Sequence, residues 1–155
     1  MSWDAYVAEL LKNGSMNQAA LFDLTGVCAA KSANWTGDVP YNTQMDLNLD
    51  GVMVDVPVNE SALLLEPWGN MPNGEYEMKS ACGMRLNKEK YMIISTRVDI
   101  QACYLKKPNG GGCIIQTGKL FLVGLFDSSQ GENQNHASCN KDVEDLAQKL
   151  RDSGF

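Results

Sequence analysis

The 155-residue chain has no apolar run approaching the length of a bilayer-crossing helix, and Met1-Ser2-Trp3-Asp4 begins no signal peptide. A membrane-spanning protein is therefore not expected, and the cytosol is the default compartment. Histidine is nearly missing. The single His136 stands in a polar stretch three residues before Cys139, and nothing in the sequence points to a third group that would orient it as a base. The five cysteines (Cys28, Cys82, Cys103, Cys113, Cys139) form no CxxC pair and no zinc-type spacing, so buried reduced thiols are expected, with no metal or redox role. A cationic excess is missing too: the net charge of −6 argues against nucleic acid as the main partner. No paired-carboxylate signature stands out, and no glycine-rich loop opens a helix, so neither an enzyme activity nor a cofactor is expected.

The charge that is present is unevenly placed. Residues 1–84 carry −8, residues 85–119 carry +5 and residues 120–155 carry −3. The basic segment is also the one in which apolar runs alternate with turn residues, the pattern of consecutive antiparallel strands. Strands are expected at Lys90–Thr96, Ile100–Lys106, Cys113–Gln116 and Leu120–Phe126. The run Gly110-Gly111-Gly112 is read as a break, because glycine weakens a strand interior. An acidic protein thus carries one basic sheet surface, either a solvated face or a docking site for an acidic partner.

A helix is expected over Ser2–Leu11, with Ser2 as N-cap, Val7, Leu10 and Leu11 as core stripe, and Asn13-Gly14 as stop. Gln18–Leu24 and Val27–Ala33 suit a hairpin about Thr25-Gly26. Alternation on both sides of Asp50-Gly51, from Gln44 to Val56, predicts a second hairpin turning at that dipeptide. The same residues spell D-x-N-x-D-G, the opening of a calcium loop. Its twelfth position, where a bidentate Glu belongs, is Pro57, so a hairpin is preferred to a calcium site. Asn59–Glu66 reads as a short helix ended by Pro67, Trp68–Cys82 as loop, and Ser138–Ser153 as a helix with Val143, Leu146, Ala147 and Leu150 on its stripe. A helix at each end with strands between predicts an α+β fold of one domain, with both termini close together on the sheet.

Several segments, in order, resemble the profilin family. They are Ser2-Trp3-Asp4-Ala5-Tyr6-Val7, Ala19-Ala20, Ser32-Ala33-Asn34-Trp35, Lys90-Tyr91-Met92-Ile93-Ile94 and Tyr104-Leu105-Lys106-Lys107-Pro108. Thr117-Gly118-Lys119 follows, then Leu122 to Asp127, and Cys139-Asn140-Lys141 through Ser153-Gly154-Phe155. Residues 36–57 depart from the family and look like an insertion. The resemblance implies a central antiparallel sheet with the N- and C-terminal helices packed together on one face. It also implies a cytoplasmic, cytoskeletal, monomeric protein that binds monomeric actin, sequesters it and promotes its nucleotide exchange.

The matching actin-binding positions are Lys90, Ile93 and Lys106 on the sheet, with Asn140, Lys141 and Asp145 at the start of the last helix. The family also binds proline-rich segments, such as those of formin-type assembly factors, between its terminal helices. Trp3, Tyr6, Leu150 and Phe155 match that groove. Its second tryptophan is replaced by Ala29 in a gapless alignment, so either Trp35 swings in or the groove has lost a wall and binds weakly. Phosphoinositides are a further implied ligand of the basic residues. The competing readings are a profilin-fold adaptor without actin affinity, a calcium-responsive module and, last, a thiol enzyme.

Overall fold

The computed structural model describes residues 2–69, 76, 78 and 83–155. Most of the loop expected at Trp68–Cys82, with Cys82 itself, lies outside the described residues. The elements in chain order are α1 (Trp3–Leu11), β1 (Gln18–Asp23), β2 (Cys28–Lys31), β3 (Tyr41–Met45), β4 (Val54–Val58) and α2 (Glu60–Gly69). They continue with β5 (Met84–Leu86), β6 (Glu89–Arg97), β7 (Ala102–Lys107), β8 (Gly110–Gln116), β9 (Leu120–Asp127) and α3 (His136–Asp152).

Seven strands form an antiparallel sheet in the order β2-β1-β9-β8-β7-β6-β5. The interior position of β9, third of the seven, follows from its sequence. Leu120-Phe121-Leu122-Val123-Gly124-Leu125-Phe126 is apolar at every position and is buried on both faces, as a strand with cover on each side must be. On one face α1 and α3 set Val7, Leu10, Val143 and Leu146 against Leu21, Ile115 and Leu122. On the other, Trp35 and Leu64 of α2 pack against Phe22, Leu105, Ile114 and Val123. The β3–β4 hairpin is a separate two-stranded sheet held to α2 through Met45, Val58 and Leu63. The expected α+β architecture, with both terminal helices on one face, is the observed one. No helix among the described residues is long and apolar enough to cross a membrane.

Three local expectations change. Gly110, Gly111 and Gly112 lie inside β8, paired with Lys107, Lys106 and Leu105 on one side and with Asp127, Phe126 and Leu125 on the other. The turn is shorter, with Asn109 at φ 58° taking the left-handed position. The glycines are there for space. A Cβ on Gly111 would run into the Leu105 carbonyl oxygen and come within 2.7 Å of His136 Cε1. Second, the hairpin exists but does not turn at Asp50-Gly51 alone: Met45 pairs with Val54, so residues 46–53 form a longer loop. Third, α2 continues through Pro67 to Gly69. Trp68 stacks edge-on against Phe121 at 4.9 Å, and that packing holds a last turn that proline alone would end.

Candidate functional site

The sheet register decides which residues share the face beside α3. Met92 pairs with Lys106 and Ile93 with Leu105. Leu105 belongs to the core under α2, whereas Tyr104, two residues before Lys106, lies under α3 and donates its hydroxyl to Glu144 Oε1 at 2.5 Å. Lys106 and Met92 therefore point to the α3 side, and so does Lys90, two residues before Met92. Ile93 points the other way and packs against the second core. This corrects its expected place beside Lys90 and Lys106. The residue between those lysines is Met92, 67% exposed, and Lys90, Met92 and Lys106 line one shallow depression. Among the described residues neither lysine is in an ion pair, whereas Lys107 lies 3.6 Å from Asp127 and 3.9 Å from Glu89.

The foot of α3 closes this surface. Lys106, Gly111 and Phe126 stand in register across three strands, and His136 sits over the last two, its ring edge-on to Phe126 at 4.8 Å. Burial holds the imidazole below its usual pKa, and the nearby Lys106 charge lowers it further. Asn135 caps the helix by accepting the Ser138 N–H at 2.9 Å, so α3 begins two residues earlier than its pattern suggests. Asn140 lies one turn before Glu144, on the flank of α3 that faces β7. Lys141 and Asp145 are on the outer side, both well exposed and paired at 2.6 Å.

The other end of α3 meets α1. Trp3 lies 5.5 Å from Tyr6 and 5.2 Å from Phe155, edge-on to the latter. Lys119 Nζ is 5.3 Å from the Phe155 ring, and the Gly118 N–H donates to the Phe155 oxygen at 2.8 Å. Arg151 fixes this end of the helix by donating to the carbonyls of Ile100 and Gln116, each at 2.7 Å. Leu150 is 1% exposed, so it is the floor under the rings and not a wall. The three rings are partly buried and form one aromatic cluster at this end of the molecule.

Trp35 does not join them. It is 1% exposed, on the opposite side of the sheet, with its ring 6.0 Å from Phe22 in the core under α2. Its expected place in the groove is corrected: the Trp35 N–H bonds the Ser32 carbonyl at 3.0 Å, and this turn carries the chain off the end of β2 toward α2. Ala29 is exposed and falls at a bulge, because Leu21 pairs with Ala30 while Phe22 pairs with Cys28. The ring set is thus Trp3, Tyr6 and Phe155.

The D-x-N-x-D-G segment is occupied by its own backbone. Asp46 accepts the N–H groups of Asp50 and Gly51 at 3.1 and 2.8 Å, and Asp50 accepts that of Val52 at 2.9 Å. Among the described residues no group of three His, Cys, Asp or Glu is placed to hold a metal ion. Burial pushes the thiols of Cys103 and Cys139 up to about 12, the setting of inert core cysteines.

The profilin family model matches residues 1–155. A profilin of Tetrahymena pyriformis is 31% identical over 160 residues, covering 99% of this chain and 98% of that protein. Among solved structures, Acanthamoeba castellanii profilin IA superposes with a TM-score of 0.70 at 24% identity, over 99% of this chain and all of the other. Mouse profilin IIa, in complex with a double repeat from the FH1 domain of mDia1, superposes with a TM-score of 0.58 at 17% identity over the full length of both. With the family model matched end to end, the chain belongs to the profilin family.

Proposed function

We propose that this chain is an actin-monomer-binding protein that regulates filament assembly and actin nucleotide exchange. Profilins are a non-enzymatic family whose members in general bind actin and polyproline. The observation that carries the reading is the joining of two sequence-distant sets at one surface. Lys106 pairs with Gly111, against which His136 of α3 packs, so that Lys90, Met92 and Lys106 of the sheet lie beside the first turn of α3, which carries Asn140, Lys141 and Asp145 further along. Lysines without an ion-pair partner among the described residues, around an exposed methionine, suit an acidic protein surface with an apolar centre. The same two lysines are the proposed contacts for phosphoinositide headgroups, which would then compete with actin.

The second proposed surface binds proline-rich segments of formin-type factors through Trp3, Tyr6 and Phe155 over Leu150. The binding is weak, because Ala29 offers no ring, and a lost stacked aromatic costs about 1 kcal/mol beyond its buried area. A cytoplasmic, monomeric protein of one domain, with residues 36–57 inserted into the family frame, completes the reading.

The test is the release rate of a fluorescent nucleotide from monomeric actin, titrated with wild-type protein and with Lys90→Glu/Lys106→Glu. Saturable acceleration that the double variant weakens supports the reading. No effect at tens of micromolar, from a folded protein retained on polyproline, would replace it with an adaptor that lacks actin affinity.

A further inference from the structure

The β3–β4 hairpin is fixed at its base. Tyr41 donates its hydroxyl to Glu60 Oε2 at 2.5 Å, and Met45 and Val58 pack on Leu63. Beyond Met45 and Val54 the loop of residues 46–53 is built and not slack, because the Asp46 carboxylate takes two of its backbone N–H groups. What this loop presents is apolar. Leu47, Leu49, Val52 and Met53 are all exposed, Leu49 to 91%, and Leu49 is held at φ 57°. The left-handed region disfavours a leucine by roughly 1–2 kcal/mol. A surface loop needs neither the strain nor the apolar tip, whereas a preformed anchor for another protein uses both.

Its position names the partner. Leu47, Leu49 and Met53 line one depression with Arg85 and Lys90, and Lys90 also lines the depression that holds Met92 and Lys106. The surface is thus continuous from the foot of α3, across the β6–β7 face and around β5, to the hairpin tip.

We propose that the tip of this hairpin, centred on Leu49 and Met53, is a second contact for monomeric actin, which is gripped around the β5–β6 edge as well as on the α3 side. The inference rests on the actin reading of the Lys90–Lys106 face. It is tested in the full chain with Leu49→Ser/Met53→Ser and with Leu49→Asn, the latter because asparagine tolerates the left-handed conformation and relaxes the tip. Actin affinity is read from nucleotide release, alongside melting temperature, sedimentation velocity and binding to phosphatidylserine vesicles. The double tip variant is expected to bind actin about tenfold more weakly, the loss that follows when a buried leucine leaves an interface. Leu49→Asn is expected to weaken binding while melting no lower than wild type, which separates contact from folding. If both tip variants bind actin as wild type does while Lys90→Glu/Lys106→Glu loses it, the inference is overturned and the actin face stands. If wild-type protein does not bind actin, both fall. Dimerisation or vesicle binding that the tip variant abolishes, with actin affinity unchanged, also overturns it.

Discussion

Replacing Gly111 by alanine adds one methyl group at the point where sheet and α3 come closest. The new Cβ would collide with the Leu105 carbonyl oxygen and lie 2.7 Å from His136 Cε1 and 3.1 Å from Phe126 Cε1. The two rings can give by tilting, but the carbonyl belongs to a strand paired on both sides and cannot move without breaking the ladder. Overpacking of this kind costs about 1–3 kcal/mol, and the backbone clash puts Gly111→Ala near the top of that range, about 3 kcal/mol. For a chain of this size that is a fall in melting temperature of about 6–12 °C. The displaced His136 shifts the start of α3, so actin binding should weaken, while Trp3, Tyr6 and Phe155 at the far end keep polyproline retention unchanged. Thermal melts, urea midpoints and the two binding assays give all four readings. If the glycines were turn residues, alanine at a tolerant position would stabilise the protein by about 0.4–1 kcal/mol. An unchanged or higher melting temperature would therefore refute the packing argument.

Trp35→Ala empties a fully buried site and should destabilise by about 3–5 kcal/mol without changing the strength of polyproline binding in the protein that remains folded. Trp3→Ala should do the reverse, and a Trp35→Ala protein with a wild-type melt but lost retention would contradict the assignment. Glu60 accepts from Tyr41 and from the N–H groups of Asn87 and Lys88, yet burial, the largest influence, raises its pKa above 4.5. Between 4.5 and that raised value the folded state holds a proton that the unfolded state releases, so stability falls as pH rises through this window. Urea midpoints of Glu60→Gln across the window should lack this component; a profile parallel to wild type would rule it out.

Much of the frame was legible because it rests on local pattern. Val7 and Leu10 of the first stripe and Val143, Leu146, Ala147 and Leu150 of the last are buried as expected, with Leu11 half-buried, and the unbroken apolar run of β9 takes an interior place in the sheet. The basic segment gave the sheet surface for the same reason, since strand alternation sorts its lysines. What escaped depends on distant backbone. Gly110-Gly111-Gly112 reads as a break in sequence because nothing local shows that His136 and Leu125 need the space. Ile93 matches the family's actin face in the sequence, but the side it takes depends on the β6–β7 pairing, which sets Met92 opposite Lys106, and on the bulge at Ile94, neither of which is visible in sequence. The resemblance leaves open whether Trp35 swings into the groove or the groove has lost a wall, because the face Trp35 reaches is set by the turn after β2. In sequence Leu49 is one apolar position of an alternating strand, and only its exposure and positive φ mark it.

The most direct measurement is the actin affinity of Met92→Asp against that of wild type, with melting temperature recorded for both. Met92 is 67% exposed and pairs with Lys106, so its loss should leave the melt unchanged while weakening actin binding about tenfold or more, as removal of a central anchor does. A Met92→Asp protein that binds actin as tightly as wild type would contradict the claim that the Lys90–Met92–Lys106 face is the actin site.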